Sequence, residues 1–499
     1  MPVNVLLTTT ILILYLAITI LIGYWASRVM KVTPSDLFTA NRSLGFIALV
    51  FAIFGSQITA FGMLGAPGAA YELGFSTLGY LQGMANFASA AGFYLIGYRA
   101  WLLAARYNFV TPVQFLGESR FGNDSPRFVV AALQILLTIP YILICGIGSG
   151  IAISAVTKGI IPYWLGALVI LLASTYIAYS GGMRGTAWTN IFQGILMIGV
   201  LVFMMFIVYN ALGKGTQIIA KLPDEMLSLG GKGVQRLGYW IPFSLLCTGI
   251  SNGVVPHILV RNMSAESPRA IQLNVVIYPI LMTIFMFMAI TLGVWGSVGV
   301  PGLVGASVDD VMPMLAEIYA PPWMTGLLGA GILAAILSSL HGMLLVVSSI
   351  FSDDIVKPIL EKGGTKLSSK QDSYLSRIFI LIVAIVVYLL VLVRPATILA
   401  IAEFSFAGFA TLFPAYFGCL YWKRASKWGV IVSSIIGVTS VALWAFHVLP
   451  EWTTFGTHYA APGFILSVVL MVAVSLITRP APKLNTENIF TVFDEVYES

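Results

Sequence analysis

The chain has 499 residues, of which 59% are hydrophobic and only 9% charged, with a net charge of +6 and a mean hydropathy of +0.94. A soluble domain carries about 25% charged residues, so this composition excludes an ordinary water-soluble enzyme or binding module. The apolar residues run in long unbroken stretches rather than in short alternating segments, which excludes a β-barrel and predicts an all-α integral membrane protein whose main partner is the lipid bilayer.

Taken in chain order, thirteen spans are expected, each near the ~20 residues that cross a bilayer as a helix. They cover 5–26, 46–70, 79–105, 128–155, 160–179, 188–209, 240–256, 270–299, 323–352, 375–393, 398–422, 428–449 and 461–478. The opening MPVN lacks the basic region of a signal peptide, so the first span is expected to be a retained helix. Cys145, Cys247 and Cys419 all fall inside apolar runs. They read as small buried hydrophobes rather than a disulfide scaffold. With the N-terminus outside, twenty of the 26 Lys and Arg residues fall in inner loops. That bias places the N-terminus outside and the C-terminus in the cytoplasm of a plasma (inner) membrane protein. It also explains the positive charge without any nucleic acid.

Two spans are interrupted by small residues. One reads GSQITAFGMLGAPG from Gly55 to Gly68, and the other GISNGVVP from Gly249 to Pro256. Gly and Pro weaken a helix. Inside a bilayer the released backbone groups are tolerated only where they are buried in protein or line a cavity. Close helix packing on small residues is the competing explanation. Position favours the first: each break opens a set of five spans, and paired breaks in two halves mark a transporter's midplane site. The expected organisation is an extra helix and loop (1–45), a first five-helix repeat (46–209), an outer loop (210–239), a second five-helix repeat (240–422), and two peripheral helices with a short tail (423–499).

Five segments carry a family resemblance, in register along roughly 10–480. They are FAIFGSQITAFGMLGAPGAAYELG, SGGMRGTAWTNIFQGILM, GVVPHILVRNMS, GILAAILSSLHGMLLVVSSIFSDDI and FAGFATLFPAYFGCLYWKRASKWGVI. The chain resembles the sodium/solute symporters, closest to the proline, pantothenate and monocarboxylate branches. The resemblance implies a 5+5 inverted-repeat core (LeuT-like) and a sodium ion as the coupling ion. Its ligands would be the carbonyls of Gly55, Ile58 and Ala335 and the hydroxyls of Ser338 and Ser339. A hard cation suits such neutral oxygens; back-bonding to the preceding helical turn is the ordinary alternative for the serines. The sequence departs from the family where an Asp is replaced by Gln57 and where WTD reads WTN at Asn190.

The resemblance further implies a small carboxylate substrate, and a monocarboxylate or a pantothenate-like acid is expected. Proline members place a Trp and a Tyr where this chain has Thr248 and Asn252, which argues against proline. Gln57, Thr59, Phe61, Tyr141, Thr248 and Asn252 are the expected pocket residues. His341, Glu403 and His257 are candidates for a proton or gating role, against the plainer reading of satisfied polar groups. Proton-coupled transport of a carboxylate or amino acid, and a transporter-like receptor that binds without flux, are the alternatives. A potassium-type filter is absent, as are HExxH and P-loop motifs, so neither a channel nor an enzyme is expected. A monomer is the expected state.

Overall fold

The structure is a computed structural model that describes residues 3–29, 33–79, 84–232, 240–364, 367–393 and 398–498. Lys31, Arg236, Lys366 and Arg394, used in the orientation argument, lie outside these. Every regular element among the described residues is helical; an isolated bridge pairs Leu44 with Ala265. The principal helices are α1 (Val3–Val29), α2 (Phe46–Gln57), α3 (Phe61–Leu73), α4 (84–107), α5 (Ser125–Val156), α6 (Tyr163–Ala211), α7 (Pro242–Val254) and α8 (Pro256–Met263). They continue with α9 (Pro268–Gly299), α10 (Pro322–Ser349), α11 (Ser369–Val393), α12 (Ile398–Tyr421), α13 (Lys427–Ala445), α14 (Ala460–Ile477) and α15 (Lys483–Glu498).

Among the described residues nine helices are long and apolar enough to cross a membrane, or eleven when each of two bent pairs counts as one span. The expectation of thirteen differs from this in two places. Spans expected at 160–179 and 188–209 form the 49-residue α6, which turns at Gly182, φ 51° and ψ −153°. The non-helical Gly182 splits this stretch into two helices, 163–181 and 183–211, about 28 and 44 Å long at 1.5 Å per residue, so each half is long enough for a crossing of its own. The span expected at 79–105 reaches into residues outside those described, and α4 carries a π-helical segment at Phe93–Tyr98. The three cysteines are free and buried.

The two bent pairs are the two segments whose small residues predicted a break. α2 and α3 meet at 63°, α7 and α8 at 50°. At the first break Ile58 is extended (φ −84°, ψ 96°), and the Thr59 hydroxyl accepts the Phe61 N–H at 3.1 Å, restarting the helix. At the second, Val255 is extended (φ −61°, ψ 122°) and Pro256 occupies the first turn of α8. A residue before proline is pushed out of the helical region, while proline itself suits a helix start. The VP dipeptide therefore sets this break locally. Tight packing fixes α7 against α4: a Cβ on Gly92 would lie 2.0 Å from the Ile250 carbonyl oxygen.

α10 is the axis of the molecule. Every residue from Leu328 to Ser349 is buried, as expected for a helix apolar on all sides. α1, α2, α5, α6 and α8 pack around it. α1 and α11 instead leave large apolar side chains such as Ile13, Leu14, Ile385 and Leu389 uncovered, which suits lipid.

Candidate functional site

The floor of the site is the first break. The Ser338 hydroxyl stands 2.6 Å from the Gly55 carbonyl oxygen and 2.9 Å from that of Ala335. The Ser339 hydroxyl lies 3.0–3.3 Å from the carbonyls of Gly55, Ser56, Ile58 and Ala335. The five residues expected to gather here do so, and Ser56 adds a sixth group. Each hydroxyl has one proton, so two protons face four carbonyl oxygens. The cradle is rich in acceptors, fully buried, and at the C-terminal, partly negative end of α2. This donor set suits a hard monovalent cation. Plain back-bonding accounts for the Ala335 contacts but not for the approach of both serines to carbonyls some 280 residues away.

Asn190 explains one departure from the family pattern. Its amide Nδ2 donates to the Ala52 carbonyl at 3.1 Å, and its Oδ1 lies 3.2 Å from Nε2 of His341. A carboxylate has no N–H for Ala52, so an Asp at this position loses one of the two bonds. His341 is thereby fixed with Nε2–H as donor. It is fully buried on α10 and is not part of the pocket wall.

Above the cradle a pocket is lined by Gln57 and Phe61 of the first break and by Thr248 and Asn252 of the second. Glu403 and Phe406 of α12 face them. Asn252 Nδ2 donates to Ser89 Oγ at 2.7 Å, anchoring α7 to α4. Thr59 and Tyr141, expected in the wall, lie beneath it instead. Thr59 is spent on the break, and the Tyr141 ring is buried against Phe406 and His257, at centroid distances of 5.1 and 5.5 Å. The sequence reading missed Asn86, Tyr278, Met282, Met286, Phe406 and His458, which also line the pocket. Tyr278, Met282 and Met286 recur every four residues on α9, one helical face. That stripe was visible, but it is indistinguishable from ordinary core.

Charge in the pocket is one-sided. Its described lining contains Glu403 but no Lys or Arg. His458 Nε2 lies 3.9 Å from a Glu403 oxygen, and burial pushes this imidazole down to about 4.

The opposite end is sealed. α11 leads from the exit of α10 to the start of α12, so Glu403 at the start of α12 and Asp354 beyond the end of α10 lie on opposite faces. At that far face Arg127 Nε meets Asp354 Oδ1 at 2.6 Å, and Thr111 donates to the same oxygen at 3.0 Å. Arg184 Nε meets Asp36 Oδ1 at 2.8 Å. His257 and Arg261 of α8 are buried between this seal and the pocket.

Two bent helix pairs around a buried axis, an oxygen cradle at one break and a pocket open toward a single face define a secondary transporter rather than an enzyme. A family model described as the sodium:solute symporter family matches residues 37–437. The chain belongs to that family, and its transport is sodium-coupled symport. The osmoregulated proline transporter OpuE of Bacillus subtilis is 28% identical over 481 residues, covering 94% of both chains. The sodium/proline symporter of Escherichia coli is 28% identical over 504 residues, covering 96% of this chain and 95% of its own. The solved structure of a Na+-coupled sialic acid symporter in a substrate-bound outward-open state superposes with a TM-score of 0.78 at 19% identity, covering 95% of this chain and 98% of its own. That likeness supports the fold.

Proposed function

We propose that this protein carries a small zwitterionic amino acid of the proline class into the cell, driven by the sodium gradient across the plasma membrane. The observation that carries it is the oxygen cradle of Gly55, Ile58, Ala335, Ser338 and Ser339 beside Gln57, which lines the pocket. Sodium held there ties the two halves of the first broken helix to α10, and its charge lies beneath the substrate.

The expectation of a monocarboxylate or a pantothenate-like acid is set aside on two grounds. The similar transporters above are proline transporters. The described lining of the pocket also carries Glu403 and no Lys or Arg, a balance that favours an ammonium group over a plain anion. A zwitterion meets both needs: its carboxylate faces the amide N–H groups and the cation, its nitrogen faces Glu403. Thr248 and Asn252, in place of a Trp and a Tyr, leave that wall less bulky. Larger ring analogues of proline are therefore tested beside it.

The basic-residue bias supports an outer N-terminus, which makes the pocket face outward and the Asp36–Arg184 and Arg127–Asp354 pairs an inner seal. His257 and His341 belong with that closed inner half, a gating position. The test is uptake into proteoliposomes of labelled proline, pipecolate, lactate, acetate and pantothenate, under an inward sodium gradient, an inward proton gradient, or neither. Sodium-driven accumulation of proline or pipecolate is expected. Accumulation of lactate or pantothenate alone overturns the zwitterion reading, and proton-driven uptake without sodium overturns the coupling.

A further inference from the structure

Arg261 is fully buried, and its Nε, Nη1 and Nη2 have no hydrogen-bond partner among the described residues. An isolated buried charge is strongly unfavourable unless something compensates it. The elements packed against α8 are α10, α2, α4, the 251–254 turn and the short helix 34–39. They contain a single acid, Asp36, which is held by Arg184 and Asn41. The guanidinium instead presses on α10, with Nη2 2.7 Å from where a Cβ on Gly342 would lie. Gly342 stands about one turn beyond Ser338 and Ser339, and a side chain there would push the guanidinium aside. The protein thus keeps a five-donor cation just inside the cradle.

A line of packed side chains connects this position to the pocket. Phe406 lines the pocket and covers Tyr141, Tyr141 packs on His257, and His257 lies one turn before Arg261 on the same face of α8. These groups form a file from the pocket floor toward the sealed end.

We propose that Arg261 is a transient docking station for the substrate carboxylate on the inner half of the transport path, engaged when the inner seal opens. The outer pocket recognises the zwitterion with neutral donors and Glu403; the guanidinium takes the carboxylate after it leaves sodium, and so draws the two solutes apart on release. This rests on the zwitterion reading for the identity of the substrate, but the anion site itself does not.

The test uses the wild-type protein first. Arg261 is modified with phenylglyoxal and read by peptide mass spectrometry, in sodium-free buffer and in sodium. Faster modification without sodium is expected, with tenfold or greater protection by proline and by acetate and none by prolinamide, which lacks the carboxylate. Protection by chloride but not by acetate or proline overturns the proposal in favour of a halide site. No reactivity in either buffer, or no protection by any anion, also overturns it. Acetate protection in a protein that takes up no proline leaves the station standing and removes only the substrate reading. In sided proteoliposomes, Arg261→Gln is expected to raise the inner-side KM about 10- to 100-fold, the range for a lost charge-assisted hydrogen bond, with the outer-side KM within about twofold. Arg261→Lys, which keeps the charge but not the fork, falls between. Equal change on both sides, or on neither, overturns the proposal.

Discussion

The two broken helices carry the same kind of interruption and put it to different uses. At the α2–α3 break the freed carbonyls of Gly55, Ser56 and Ile58 converge on two hydroxyls from α10, leaving more acceptors than protons. At the α7–α8 break the accounts nearly balance within the protein. The Val254 carbonyl accepts from Gln134 Nε2 at 3.0 Å, Ser251 Oγ donates to the Cys247 carbonyl at 2.7 Å, and Asn252 donates to Ser89. A break that lacks donors suits a cation, and a break whose groups are satisfied suits a hinge or a pocket wall. The small residues that make both look alike in sequence govern only whether a helix can open. What lies across from the opening decides what it does.

Four substitutions break this contrast, in falling order of effect. Ser339→Ala removes the hydroxyl that lies within 3.3 Å of four carbonyls. It is expected to raise the sodium concentration for half-maximal uptake about 10- to 100-fold, as for loss of a hydrogen-bonding group to a charge, with Ser338→Ala behind it. Sodium titration of proline uptake checks this, and an unshifted curve removes the cradle assignment. Gln134→Ala strips the donor from Val254 and leaves a buried carbonyl orphaned, at a cost of about 1–3 kcal/mol. A lower Tm and a lower maximal rate are expected with the sodium dependence unchanged; a shifted sodium dependence means the second break also holds the ion. Glu403→Gln touches neither break and tests the wall between them. Uptake of the zwitterion is expected to weaken by about fivefold or less, the scale of a partly exposed charge contact. Competition by lactate gains at the same time, and equal losses for both ligands remove the electrostatic role.

A second pair of sites repeats the lesson. Arg120 and Arg261 are both fully buried arginines. Arg120 is partnered at every nitrogen: it donates to the carbonyls of Cys419, Trp422 and Lys423 at the end of α12 and to Thr486 of α15, tying the last helix to the bundle. Arg261 has no such partners. In the sequence each is an arginine beside an apolar run, and nothing local separates an anchor from an anion site.

Much of the architecture was legible. Apolar run length, the positions of Gly and Pro, and the VP dipeptide are local quantities, and they dictate where helices form and where they fail. The five oxygen positions were legible through the family resemblance, because the pairing of residue 55 with 338 involves no local signal at all. Other features were out of reach. Tyr141 follows a proline and read as cavity-facing, yet Phe406 from a distant helix lies over it. Tyr278, Met282 and Met286 read as core because a pocket stripe and a packing stripe share one period. The charge preference of the pocket rested on a sum over α2, α3, α4, α7, α9 and α12 that no window of sequence contains. By itself the sequence determined a helical membrane transporter with two openings in its helices, since solvation by lipid and backbone strain act residue by residue. Only the tertiary structure decided which opening gathers oxygens, which side chains meet the solute, and which buried cation is left to face a ligand, since those depend on partners brought together from hundreds of residues apart.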